Sequence, residues 1–195
     1  MYRVFSLGVL VVASFGLVGC AKTVSPAQAT QRKTTVTKST TQAISLTSYR
    51  HLELGATKGG AAEKAVKALF GKPHQTTTTT IPGVKSPATR ISWTNVDRSL
   101  RGATVTITFL DGRAVGKAYA HAKVGRPISN QNYHAMKVGM SPTSVRKKLG
   151  QPTGETVLSY GAPGSQVLTY IDGQAKVTFT FGNDALLSKT KTAQS

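Results

Sequence analysis

Cys20 is the only cysteine in the 195-residue chain. A disulfide needs two thiols and a multi-cysteine zinc site needs several, so composition alone excludes both. Carboxylates are also scarce: seven Asp and Glu stand against 25 Lys and Arg, for a formal charge of +18 and a pI near 10.4. The seven acids, Glu53, Glu63, Asp97, Asp111, Glu155, Asp172 and Asp184, are isolated from one another along the chain. Nothing in their spacing argues for the paired carboxylates of acid–base catalysis. Asp111, Asp172 and Asp184 fall at expected hairpin turns, where Asp serves the backbone. The four histidines, His51, His74, His121 and His134, have no metal-ligand spacing, so no metal site is expected. No Gly-x-Ser-x-Gly elbow occurs. The stretch Gly112 to Lys117 has one residue too few between its glycines for a phosphate loop. It also lacks Ser or Thr after Lys117 and lies on an expected strand. The chain therefore reads as non-enzymatic. An unrecognised hydrolase would need an acidic or histidine cluster that only folding could assemble.

Hydrophobic residues are modest at 39%, so a core is possible but not a large one, and part of the chain is expected to stay unpacked. The apolar run Val4 to Val18, 15 residues behind Arg3, is short for a membrane span and fits the core of a signal peptide. No stop-transfer stretch follows. The run ends in Leu17-Val18-Gly19-Cys20, which resembles a lipobox. That resemblance implies removal of residues 1–19 and a diacylglyceryl group on Cys20. Two acyl chains hold a protein stably on a membrane where one would not. The mature chain would lose Arg3 and no acid, leaving 24 − 7 = +17. Export changes the partners available to a basic protein. Nucleic acid is no longer expected; anionic lipid head groups and wall polymers are. The expected location is the outer face of the cell membrane, with a Gram-positive envelope favoured.

Residues 20–47, from the Cys20 expected to be lipidated onward, contain mainly Thr, Ser, Gln, Ala and Lys with almost no large apolar side chain. Such a segment cannot bury enough surface to fold and is expected to be a disordered tether. Its basic residues would either touch anionic lipid or serve solubility alone.

Beyond the tether the sequence repeats. Tyr49-Arg50-His51-Leu52-Glu53-Leu54-Gly55 aligns with Tyr133-His134-Ala135-Met136-Lys137-Val138-Gly139, and Val66 to Pro73 aligns with Val145 to Pro152. Ile91-Ser92-Trp93 aligns with Leu168-Thr169-Tyr170, and Ala103 to Phe109 with Ala175 to Phe181. The order is kept, and two units are expected, residues 48–127 and 128–195. In each, a short helix runs from the Tyr to the Gly. A second helix ends at Gly71/Pro73 or Gly150/Pro152, and in the second unit it starts at Ser141-Pro142, a cap followed by proline. Strands follow. Val105, Ile107 and Phe109 alternate with threonines, as do Val177, Phe179 and Phe181 with Lys and threonines. Asp172-Gly173, Asp111-Gly112 and Asn183-Asp184 mark turns. The expected fold class is α+β, each unit being helix–helix–three or four antiparallel strands.

The pattern Val138-Gly139-Met140-Ser141 followed by Leu149-Gly150-Gln151-Pro152 resembles the beta-lactamase-inhibitor-protein-like (BLIP-like) superfamily. That group includes small outer-membrane assembly lipoproteins of the SmpA/OmlA type and two-copy lipoproteins of Gram-positive bacteria. The resemblance covers roughly residues 48–195, the second unit matching better than the first. It implies a sheet that presents a face to other proteins and implies no enzyme. The disulfides of the true inhibitors cannot form here, since Cys20 is alone. By the same resemblance Asp97, after Trp93, sits where an acidic inhibitory loop would be.

Trp93 and Tyr170 occupy matching places beside Ile91 and Leu168, suited to core packing and, as the alternative, to aromatic anchors on a binding face. Arg146-Lys147-Lys148 is the tightest basic cluster, a solvated helix face or a polyanion contact. The expected function is a lipid-anchored module that binds another exported protein, with binding of wall polyanion or anionic lipid as the alternative. No cofactor is expected beyond the diacylglycerol on Cys20.

Overall fold

A computed structural model describes residues 42–55, 59–160 and 164–193. The expected signal peptide, Cys20 and most of the expected tether lie outside the described residues. Helices α1 (Leu46–His51) and α2 (Glu63–Phe70) precede strands β1 (Gln75–Thr79), β2 (Ala88–Trp93), β3 (Thr104–Leu110) and β4 (Arg113–Ala120). A 3-10 turn, Arg98–Leu100, joins β2 to β3. Helices α3 (Asn130–Ala135) and α4 (Pro142–Leu149) then precede β5 (Gly154–Leu158), β6 (Ser165–Asp172), β7 (Ala175–Gly182) and β8 (Ala185–Ala193). All eight strands form one antiparallel sheet in chain order. The α+β class expected from the sequence is observed, in a single sheet. The seam is β4 with β5, paired from Gly116↔Leu158 to Tyr119↔Glu155.

Local chemistry explains the element ends. Ser45 caps α1: its hydroxyl accepts from the Ser48 amide, and the Ser48 hydroxyl accepts from the Ser45 amide. Ser141 caps α4 through its hydroxyl, which accepts from the Ser144 amide, with Pro142 in the first turn. Gly71 and Gly150 end α2 and α4 at φ 78° and 82°, backbone that a β-carbon would strain. Asp111-Gly112 and Asn183-Asp184 take positive φ at both central positions of two-residue hairpins.

Three expectations are corrected. The spacer does not run to residue 47: Ile44 is 1% exposed in the core and Leu46 opens α1, because Ile44 and Leu46 are large enough to bury with the first unit. The first helix of each unit does not begin at the tyrosine or stop at the glycine. Tyr49 and Tyr133 lie inside α1 and α3, and those helices end at His51 and Ala135, before extended Leu52 and Met136. The caps Ser45 and Ser129, not the tyrosines, set the starts. The β6–β7 turn is Gly173-Gln174, one residue later than expected, since Asp172 is still strand.

The helices cover one face of the sheet. The core beneath them forms two clusters, one around Tyr49, Phe70, Trp93, Ile107 and Tyr119, the other around Val145, Leu168, Tyr170, Phe179 and Phe181. Fully burying an aromatic or large aliphatic side chain contributes roughly 1.5–3 kcal/mol, so these side chains dominate the fold's stability.

Candidate binding face and its framework

The helix-covered face is built around buried polar groups that the sequence did not mark as special. Lys117 on β4 is 9% exposed, and its ammonium donates to the carbonyls of Tyr49, Arg50 and Leu52 at 3.1, 2.8 and 2.8 Å. A strand lysine thus satisfies the orphan carbonyls at the end of α1. Lys189 on β8 does the same for α3, donating to Tyr133 and Met136 at 2.8 and 2.9 Å. Each ammonium also lies over the ring of the helix tyrosine, 5.3 Å from the centre for Tyr49 and 4.5 Å for Tyr133. One signal for the pair was present in the sequence: the lysines are 189 − 117 = 72 residues apart, the offset of Ala103 from Ala175.

Near the seam, Glu155 on β5 is 5% exposed. Gln166 donates to one of its oxygens at 3.0 Å, and Arg146 on α4 stands 3.7 Å from the other. Burial is the main cause that raises the phenols of Tyr49, Tyr119 and Tyr170 above their ordinary value; the Glu155 charge adds to it, while Arg146 opposes it. Burial likewise lowers the Lys117 ammonium.

Trp93 and Tyr170 are 0% and 1% exposed, which corrects any role as exposed anchors. The Trp93 indole donates to the Gly71 carbonyl and the Tyr170 hydroxyl to that of Gly150, each at 3.0 Å, so both tie a strand to the end of a helix. Asp97 caps the 3-10 turn, accepting from the Ser99 amide at 2.8 Å, and this places its carboxylate on the chain's own backbone rather than toward a partner. The basic cluster is divided: Lys147 and Lys148 are exposed, while Arg146 turns inward to Glu155. Cys20 lies outside the described residues. Among the described residues no group of three or more His, Cys, Asp or Glu could hold a metal, and no helix is long and apolar enough to cross a membrane.

Among the described residues no helix covers the other face of the sheet. Strand alternation puts Ser92, Thr106, Ala118, Thr156, Val167 and Thr180 across it in one register row, and Thr104, Ala120, Gly154, Thr169, Thr178 and Thr190 in the next. Small residues at the seam, Gly116, Ala118, Ala120 and Gly154, keep its centre low. At one corner Ile81, Val84 and Tyr160 pack over Ala88, Leu110 and Val115. Three hollows adjoin on this face. The largest, about 540 Å³, is lined by Thr153, Thr156, Thr169, Ile171, Lys176 and His121. One of about 280 Å³ lies among Arg90, Thr106, Thr108, Ala118, Thr156 and Leu158, and a third of about 160 Å³ lies beside Pro82 and Tyr160.

Residues 38–193 match the model of a family described as a domain of unknown function with solved-structure structure, DUF3862. The chain belongs to the DUF3862 family. No curated protein matches it. Among solved structures, this DUF3862 chain is similar to a protein from Streptococcus mutans described as a candidate beta-lactamase inhibitor protein. The TM-score is 0.56 at 16% identity, covering 76% of this chain and 95% of that one. At that identity the likeness is one of fold, and the BLIP-like resemblance expected from sequence holds at that level.

Proposed function

We propose that this chain is an extracytoplasmic, non-catalytic protein-binding module, held to the outer face of a cell membrane through diacylglycerol on Cys20. Its two helix–helix–strand units are read as tandem BLIP-like repeats, akin to SmpA/OmlA-type lipoproteins and closer to the two-copy lipoproteins of Gram-positive bacteria. One observation carries the binding role: among the described residues, a sheet eight strands wide has helices on one face only, and the other face is a hollowed surface of hydroxyls and small side chains. The likeness to a candidate inhibitor protein is in keeping with it.

The test is a pull-down from solubilised cell envelope with the mature full chain, at low and high salt. A stoichiometric protein that survives high salt, and is lost when Thr106→Arg and Thr169→Arg are introduced together, supports the reading. Recovery of anionic polymer or lipid alone, released by salt, favours the second reading, which rests on the mature formal charge of 24 − 7 = +17. For the anchor, Cys20→Ser should abolish labelling by radioactive palmitate and move the protein from the membrane to the soluble fraction. Unchanged labelling would sink the lipidation.

A further inference from the structure

We infer that the hollowed sheet face receives an extended acidic segment of the partner protein, with one carboxylate at each end of a diagonal trough. The inference rests on the protein-binding reading above and names the chemistry of what binds.

The distribution of charge is the first argument. No acid side chain projects from this face: Glu155 borders the largest hollow, but its pairing with Tyr119 and Leu168 puts its carboxylate on the helix-covered side. Glu53 and Glu63 belong to the α1–α2 region, and Asp97 caps the 3-10 turn. Glu155 is buried under the helices, and Asp172 pairs with Lys191. Asp111 and Asp184 are hairpin turn residues. The face does hold cations. Arg90 and Lys176 are exposed and make no ion pair among the described residues.

Geometry is the second argument. Arg90 lines one hollow and Lys176 the largest, and the two hollows share Thr156. Arg90 lies in the row that runs through Thr108 and Gly116 to Leu158 and Ser165, while Lys176 pairs with Ile171. The two cations are therefore five strands apart across the sheet and six residues apart along it. At ~4.8 Å per strand and ~3.3 Å per residue these are ~24 and ~20 Å, a diagonal of about 30 Å. That is the span of roughly nine extended residues.

The lining argues for a protein rather than a wall polymer. Two cations 30 Å apart (about; from the same spacings) are too few to hold a polyanion, whose affinity grows with the number of charges neutralised. Beside the Arg90 half of the trough, in the same register row as Arg90, Leu158 is 43% exposed, an apolar seat for a side chain that a phosphate polymer lacks.

The experiment uses the full mature chain and a nine-residue peptide of Thr and Ser with Glu at both ends and Leu at the centre. Binding is followed by amide NMR shifts. The expected result is a saturable shift along the trough from Arg90 to Lys176. Binding should weaken at least tenfold when Arg90→Glu and Lys176→Glu are combined, and less than twofold when Lys147→Glu and Lys148→Glu make the same charge change elsewhere. Circular dichroism establishes that both double variants are folded. Equal weakening by both pairs overturns the inference. So do equal binding of a peptide with Gln at both ends, displacement by polyglycerol phosphate, or no saturable shift. If a salt-resistant partner from the pull-down still binds the Arg90→Glu, Lys176→Glu chain, protein binding stands and the acidic trough falls.

Discussion

Lys117 shows what one side chain can do when a sheet supplies it to a helix. Its ammonium takes the place of a helix cap, and three carbonyls depend on it. Lys117→Met should cost about 2 kcal/mol in urea unfolding, because those carbonyls stay buried without a donor. Lys189→Met should cost less, since Lys189 is less buried and serves two carbonyls. The buried phenols yield a pH prediction. Tyr49, Tyr119 and Tyr170 are raised above 10 in the folded chain by burial. Above that pH the unfolded chain loses protons that the folded chain keeps, so stability present below pH 10 is lost as pH rises. The slope should approach about 1.4 kcal/mol per pH unit for each tyrosine, and Tyr170→Phe should flatten it. Lys117 acts with the opposite sign: its folded form releases a proton first, so its contribution rises with pH up to the ordinary 10.5. Denaturation curves from pH 8 to 12 separate the two.

Between elements, the contact of α4 with β5 is the one most exposed to damage. Arg146 and Glu155 meet at 3.7 Å, and the two facing atoms have no hydrogen-bond partner. Such a pair is weak evidence of net stabilisation, yet losing one member strands a buried charge. Arg146→Met should destabilise by about 3 kcal/mol, and adding Glu155→Leu should restore most of it. A double variant as unstable as the single one would mean that the pair itself contributes strongly. The cap glycines work at the same scale. At φ 78° and 82°, Gly71 and Gly150 turn the chain out of α2 and α4 and present the carbonyls that Trp93 and Tyr170 hold. An aromatic strand residue and a helix-ending glycine thus form one joint in each half.

For the whole molecule, the decisive feature is that the sheet does not stop between the halves. Four residue pairs join β4 to β5, and the Gln151 side chain donates to the Ser99 carbonyl at 2.7 Å across the same boundary. One cooperative unfolding transition is therefore expected. Thr156→Pro, in a strand paired on both sides, removes a ladder donor and should cost about 3 kcal/mol or more. Two separate calorimetric transitions in the unaltered chain would show that the halves are independent despite the shared sheet.

Helix stops at Gly71 and Gly150, the Ser141-Pro142 start, the alternating strands and the hairpin turns were legible from sequence, because each depends on residues within a few positions of one another. The aligned motifs likewise suggested the resemblance in fold. The tether boundary was misjudged because Ile44 and Leu46 reveal their burial only against residues such as Trp93 and Leu100, some 50 positions later. The roles of Glu155, Lys117 and Arg90 were out of reach for a related reason: which face a strand residue meets depends on register, and register across the seam is set by pairing between residues about 40 apart. Composition alone determined that the chain has no disulfide and few carboxylates. Only the tertiary structure decided that all of those carboxylates lie off one open face of the sheet, because that is a property of pairing and packing rather than of sequence order.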